Sequence, residues 1–306
     1  MIHIIGALTP VFAVILLGYL FRKWRFVPDA FWGAAERITF YVFFPSLLVA
    51  TTAKADMAGL QVLPMVGALI AGIVLVVALT FWLRFPLRLD GPSFTSLIQG
   101  SIRPNVYVGL AAALALIGTE GLTLISLCIA AAVPAVNAIS VVAMVRYASL
   151  AGTPVGWRSM LWPIARNPMI LACATGLVLN GAGVGLPPLM GPLLEILGRA
   201  SLPVGLLAVG AGLELAAMRS AGRTVAVTSA IKILLLPILT YVLCLSMGLD
   251  GPAATVPVLY ASLPGSASAY VMARQMGGNT VIMAGSITLT TIAAAVTMPL
   301  ILIAVG

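Results

Sequence analysis

Long apolar segments follow one another along nearly the whole chain, and no other feature limits its fold so strongly. A helix needs about 20 apolar residues to cross the hydrocarbon core of a bilayer. We interpret ten segments in this way and predict an all-α, multi-pass membrane protein with spans at 4–21, 38–53, 63–83, 93–117, 122–145, 168–184, 189–215, 224–247, 253–272 and 281–305. The composition supports this interpretation, because 61% of the 306 residues are apolar and 8% are charged, whereas a soluble domain is about 25% charged.

The residue types that usually carry catalysis or bind metals are scarce. His3 is the one histidine, and the three cysteines (Cys128, Cys173 and Cys244) all fall inside apolar segments. A Ser-His-Asp set, a Cys-His pair and a zinc site are therefore not expected. We predict that the protein is not an enzyme and that it has no metal and no other cofactor.

Positive charge in the connections between spans predicts the orientation. The net charge of +8 does not indicate nucleic-acid binding, because twelve basic residues collect on one side of the predicted spans and Lys54 alone lies on the other. Basic connections stay in the cytoplasm, so we expect an inner-membrane protein of bacterial type with both termini outside the cytoplasm. The twelve residues are Arg22, Lys23, Arg25, Arg37, Arg84, Arg88, Arg146, Arg158, Arg166, Arg219, Arg223 and Arg274.

Similarity between the two halves of the chain predicts an internal repeat. Short matches link spans two and seven, four and nine, and five and ten, in order and at a nearly constant offset of about 160 residues. Because each half holds five predicted spans, an odd number, the second half must enter the membrane from the opposite side. We therefore predict two inverted repeats, residues 1–147 and 168–306, joined by a cytoplasmic linker at 148–167.

Spans four and nine each carry a proline near the middle, beside small or polar residues. The two repeat-equivalent segments are Arg103-Pro104-Asn105 and Pro264-Gly265-Ser266. A proline removes a backbone donor and displaces the carbonyl four residues earlier, and membranes tolerate such loose groups only inside protein or beside water. We expect two broken helices that cross at mid-depth, where half-helix N-termini favour an anion. Simple kinks without a site are the alternative.

Arg103 is the most informative single residue. It lies deep in a span where no carboxylate is predicted, and a guanidinium there costs at least about 3 kcal/mol. A substrate carboxylate would compensate this cost; capping of half-helix carbonyls is the alternative. Lys232 either adds positive charge to the same cavity or extends toward the cytoplasm, and Asn137 either binds substrate or joins helices. Arg199 has the spacing of a helical ion pair with Glu195.

Several motifs resemble the auxin efflux carrier family over essentially the whole chain. Bacterial members of that family are described as malonate or malate permeases, and plant PIN-type auxin exporters are relatives. The motifs are Gly18-Tyr19-Leu20-Phe21-Arg22, Phe44-Pro45-Ser46-Leu47-Leu48, Pro104-Asn105 with Gly109, and Leu263-Pro264 followed by Ala273-Arg274.

The resemblance implies a fold similar to that of sodium/proton antiporters and bile-acid symporters. In such a fold, helices 1, 2, 6 and 7 form a scaffold through which two copies associate as a homodimer, and helices 3–5 and 8–10 form a mobile transport domain. Helices four and nine would cross at Pro104 and Pro264, with Asn105 contacting the anion and Lys232 matching a basic position of the family. Arg103 and Arg199 depart from the plant exporters, which favours a more anionic substrate than auxin, such as a dicarboxylate.

From these features we predict a secondary transporter that moves a small mono- or dicarboxylate across the inner membrane by alternating access. The candidate binding residues are Arg103, Pro104, Asn105, Asn137, Lys232, Pro264, Gly265 and Ser266. A sodium-coupled symporter of the bile-acid type and a carrier-like sensor that binds without transporting stay open as alternatives. Without a deep carboxylate, the sequence favours transport driven by the membrane potential alone, which supplies about 2.3 kcal/mol per charge and 100 mV.

Overall fold

The computed structural model describes residues 2–55, 61–148, 166–220 and 222–305. All regular elements within these ranges are helices. Most of the predicted linker, including Arg158, lies outside the described residues. In chain order the helices are α1 (Ile2–Lys23), α2 (Asp29–Ile38), α3 (Phe44–Ala53), α4 (Val62–Leu83), α5 (Gly91–Ile102), α6 (Val106–Tyr147), α7 (Pro168–Gly181), α8 (Met190–Ala211), α9 (Leu215–Ser220), α10 (Gly222–Ala230), α11 (Leu236–Ser246), α12 (Gly251–Ser262), α13 (Ala267–Met276) and α14 (Thr280–Val305).

Six helical stretches of the described chain are long and apolar enough to cross a membrane. Their outward faces carry exposed side chains such as Leu75, Leu245 and Leu300, which a lipid environment would bury. The prediction of an all-helical, multi-pass membrane protein is confirmed at this level. The six stretches are Ile2–Lys23, Val62–Leu83, Val106–Tyr147, Met190–Ala211, Gly222–Ser246 and Thr280–Val305.

Two π-helical turns each join two consecutive α-helices into one longer helix. Thr39–Phe43 joins α2 to α3, and Ile231–Leu235 joins α10 to α11. Each turn is followed closely by a proline, Pro45 or Pro237. A proline ring clashes with the carbonyl four residues earlier, and the wider π turn gives that carbonyl room.

The helix that contains the second predicted span begins before that span. The predicted span starts at residue 38, whereas α2 begins at Asp29 and continues without interruption into α3. This first part of the helix contains Trp32, Glu36 and Arg37. Because it is polar, its hydropathy is that of a loop. The correction matters because it places Glu36 inside a helix rather than beyond its end.

The predicted breaks in spans four and nine are confirmed. Arg103–Asn105 separates α5 from α6, and residues 263–266 separate α12 from α13, with extended backbone at the flanking positions. A third interruption occurs at Gly118, whose φ of 77° is readily adopted only by glycine. It divides α6 between the predicted spans four and five.

Two groups of helices differ in what they pack against. α1 packs on α8 and α3 packs on α7 and α8, while α4–α6 and α9–α14 pack chiefly on one another. The α1–α8 contact brings two backbones together, because a Cβ at Gly18 would overlap the backbone of Leu207 and one at Gly210 would overlap that of Ile15. Small residues allow such close packing of membrane helices.

Candidate functional site

The two helix breaks meet and form hydrogen bonds to each other. Pro104 and Gly265 make an isolated antiparallel bridge, and the N–H of Asn105 donates to the Pro264 carbonyl at 2.8 Å. The N–H of Gly265 donates to Thr290 Oγ1 of α14 at 3.0 Å. Backbone groups at the two breaks are thus bonded inside the protein, as a lipid environment requires.

Both second half-helices begin at this crossing, and both have a polar residue as their N-cap. Asn105 Oδ1 accepts hydrogen bonds from the N–H groups of Tyr107 and Val108 at 3.1 and 3.4 Å. Ser266 Oγ accepts one from the N–H of Ser268 at 3.4 Å. The side-chain oxygen of Asn105 is therefore occupied by capping, and its amide nitrogen remains as a donor.

A cavity of about 710 Å³ opens beside the crossing, within the size range of small-molecule sites, about 300–1,000 Å³. We call it the crossing cavity. Both half-helix N-termini line it, through Asn105–Tyr107 and Ser266–Ser268, so their partial positive charges act on the same space. The remaining wall comes from α1, α2, the π turn, α8 and α13 and includes Arg22, Asp29, Trp32, Glu36, Arg37, Phe40, Tyr41, Val209, Met272 and Gln275.

Arg103 lines the crossing cavity and has only neutral partners among the described residues. Its guanidinium donates to Asn137 Oδ1 at 2.6 Å, to Gln99 Oε1 at 3.2 Å and to the Met272 sulfur at 3.0 Å. These bonds leave some of its five N–H groups unused. The two ion pairs found in the described chain, Arg22–Asp29 and Lys54–Glu195, do not involve Arg103, so its positive charge is not neutralised there.

Lys232 and Asn137 lie beside the site but are not themselves among the residues that line the crossing cavity. Lys232 is completely buried, and its Nζ donates to the Ala261 carbonyl at 3.0 Å. In this conformation it stabilises the end of α12 next to the break. Asn137 reaches the site through its hydrogen bond to Arg103, which fixes the direction of the guanidinium.

Glu36 is a site residue that the sequence analysis missed. Its half-buried side chain lines the crossing cavity from α2 and interacts electrostatically with the Tyr107 hydroxyl. The second predicted span begins at residue 38 and so leaves Glu36 out, whereas the helix that contains Glu36 starts at Asp29. The spacing of Trp32, Glu36 and Phe40, four residues apart, is the signal that could have shown one helical face turned toward the site.

A second cavity, of about 930 Å³, lies at the other end of the same helices. We call it the Lys54 cavity; it is lined by Leu47, Lys54, Leu114, Glu120, Glu195, Gly198 and Arg199, among others. Glu195 forms its ion pair with Lys54, which directly follows α3. The expected ion pair between Glu195 and Arg199 is therefore replaced by a contact between two helices.

Two aromatic rings stack at the boundary of the crossing cavity, on helices that also line the Lys54 cavity. Phe44 and Tyr107 are parallel, with centroids 4.6 Å apart. Gly205 lies against both rings, since a Cβ there would be 3.2 Å from Phe44 and 3.4 Å from Tyr107. Along their helices, Phe44 and Gly205 fall between residues that line one cavity and residues that line the other, and Tyr107 is itself a wall residue of the crossing cavity.

Comparison with known protein families defines the class of the chain. The family model described as "Membrane transport protein" matches residues 3–149 and 156–302, almost the entire length. The chain therefore belongs to this family, the auxin efflux carrier family of membrane transporters. No curated protein matches the chain.

Proposed function

We propose that this transporter carries a small organic anion across the inner membrane and binds it in the crossing cavity. The observation that supports this most directly is the unneutralised Arg103 guanidinium facing a space shared by two half-helix N-termini. Fixed positive charge and unused N–H donors at one place favour a carboxylate. The proposal extends to mono- and dicarboxylates of the size of malonate or malate.

Each candidate residue has a separate role in this proposal. Arg103 binds the carboxylate, and the Asn105 amide nitrogen and the Ser266 hydroxyl supply further donors. Asn137 orients Arg103 through the 2.6 Å hydrogen bond. Pro104, Pro264 and Gly265 keep the backbone open at the crossing, and Lys232 holds the end of α12.

The proposed transport cycle is alternating access between two groups of helices. We assign α1–α3, α7 and α8 to the scaffold and the other helices to the transport domain, because each group packs chiefly within itself. The assignment corresponds to ten spans arranged as inverted repeats, residues 1–147 and 168–306. We further propose that scaffold helices form a homodimer and that both termini lie outside the cytoplasm.

The test is flux of radiolabelled mono- and dicarboxylates into proteoliposomes. We expect Arg103→Ala to abolish flux and Arg103→Lys to retain some flux with weaker apparent affinity, because lysine keeps the charge but loses the planar fork. Arg223→Ala, an exposed arginine outside both cavities, is the matched control and should transport normally. Normal flux in Arg103→Ala would place the binding site elsewhere.

The same experiment separates the alternative functions. A carrier that needs no sodium transports equally well in sodium-free and sodium-containing buffer. Flux that disappears without sodium would support a symporter of the bile-acid type, and saturable binding without flux would support a sensor.

A further inference from the structure

Glu36 is a carboxylate that lines the crossing cavity and has no hydrogen-bond or ion-pair partner among the described residues. Within the described ranges no hydrogen bond or ion pair connects its side chain to the protein, although it is half-buried. A half-buried ionised carboxylate ordinarily requires such partners. Its position on the cavity wall leaves the carboxylate free to respond to what the cavity contains.

The other charged and titratable groups around the cavity do not neutralise Glu36. On its own helix, Arg37 lines the cavity, and Asp29 lies 3.7 Å from Arg22 of α1. Arg22 also donates to the Ala211 carbonyl at 2.6 Å. The break contributes Arg103, held by neutral acceptors.

The remaining walls are neutral. The phenols of Tyr41 and Tyr107 face the cavity from the π turn and from α6, and α8 and α13 contribute uncharged residues such as Val209 and Gln275. Among the residues that the structure describes, the cavity therefore contains two cations without an ion pair, Arg103 at the crossing and Arg37 on α2, and one carboxylate without an ion pair, Glu36.

We propose that Glu36 takes up a proton from solvent when an anion binds at Arg103. The inference rests on the proposed function, since it needs an anion in the crossing cavity. An anion drawn to Arg103 adds negative charge to the cavity that Glu36 also lines, and a nearby like charge favours the protonated form of a carboxylate. The proton goes to a carboxylate oxygen of Glu36, and no bond of the substrate changes.

A pH-dependent affinity follows from this coupling. Between the pH at which Glu36 loses its proton in the empty cavity and the higher pH at which it does so beside the bound anion, each bound anion takes up as much as one proton, and affinity falls by as much as tenfold per pH unit. At lower pH, Glu36 is already protonated and affinity no longer changes with pH. Anion binding in the crossing cavity is therefore linked to proton uptake by Glu36. Arg103 stays charged over the whole pH range of the experiment.

The experiment is isothermal titration of the full-length protein in nanodiscs with malonate, from about pH 6 to about pH 9, a range in which arginine stays protonated. Pairs of buffers that differ in ionisation enthalpy give the number of protons taken up. Glu36→Gln removes the titrating group but keeps the shape of the side chain. Glu214→Gln, the same substitution at an exposed position outside both cavities, is the matched control, and Glu36→Asp should retain the linkage.

We expect the parent and Glu214→Gln to take up protons with malonate in the part of the range between the pKa values of Glu36 in the empty and the occupied cavity, and Glu36→Gln to take up none and to bind with pH-independent affinity. Binding without proton uptake in the parent over the whole range, or unchanged uptake in Glu36→Gln, would overturn the inference while leaving the proposed function intact. No saturable binding of any mono- or dicarboxylate would overturn both. The number of protons taken up by the parent protein already decides whether anion binding is linked to proton uptake. That part of the test therefore does not depend on Glu36→Gln folding.

Discussion

Replacing Asn137 by Asp tests whether the free charge of Arg103 is what holds the anion. Asn137 Oδ1 accepts from Arg103 Nη2 at 2.6 Å, and Asp has nearly the same shape as Asn, so Asn137→Asp gives Arg103 a counter-ion without moving any helix. Two unit charges about 4 Å apart attract each other by about 4 kcal/mol at an effective dielectric constant of about 20. A substrate carboxylate must then compete with a fixed one, and we expect its affinity to fall at least about 100-fold.

The matched variant is Asn137→Ala, which removes the hydrogen bond but adds no charge. Loss of a hydrogen bond to a charged group costs about 1.5–3 kcal/mol of stability, yet the cavity keeps its positive charge. Titration with malonate in nanodiscs and thermal unfolding measure the two effects separately. We expect Asn137→Asp to unfold no earlier than the parent and not to bind, and Asn137→Ala to unfold earlier and still to bind. Parent-like affinity in folded Asn137→Asp would refute the reasoning.

Three further outcomes are expected. Phe44→Ala removes one of the two stacked rings, and we expect it to raise passive leak of anions across the membrane of proteoliposomes. Phe81→Ala, whose ring lies outside both cavities, should not raise the leak. Equal leak in both variants would contradict a role of the stacked rings as a barrier. Gly33→Cys and Gly181→Cys both have open space for the new side chain. In intact cells, an impermeant thiol reagent should label only Gly181→Cys. Labelling of Gly33→Cys alone would invert the proposed orientation. The side chain and N–H of Ser93 bond the Asp90 carboxylate and lower its pKa from 3.8, so this N-cap stabilises α5 fully above that pH and less as pH falls. Asp90→Ala should cost about 1 kcal/mol at neutral pH, and thermal unfolding should show the difference shrinking in acid; a difference independent of pH would contradict this role.

The sequence by itself determined the features that depend on local composition. Apolar length identified the helical stretches, because the hydrocarbon core sets a minimum number of residues whatever the neighbouring helices are. Pro104 and Pro264 located the two breaks, since the effect of a proline on the backbone acts over one helical turn. Gly118 similarly ended a helix where the predicted boundary lay.

Only the tertiary structure decided which side chains meet. Arg103 obtains its acceptors from two other helices, Glu195 pairs with Lys54 instead of Arg199, and Lys232 bonds a carbonyl at the end of α12. Glu36 enters the cavity because α2 begins earlier than its polarity suggested. Hydropathy along a helix that is apolar on nearly every side does not fix its rotation. The partner of each buried polar group is therefore set by the packing of helices distant in sequence.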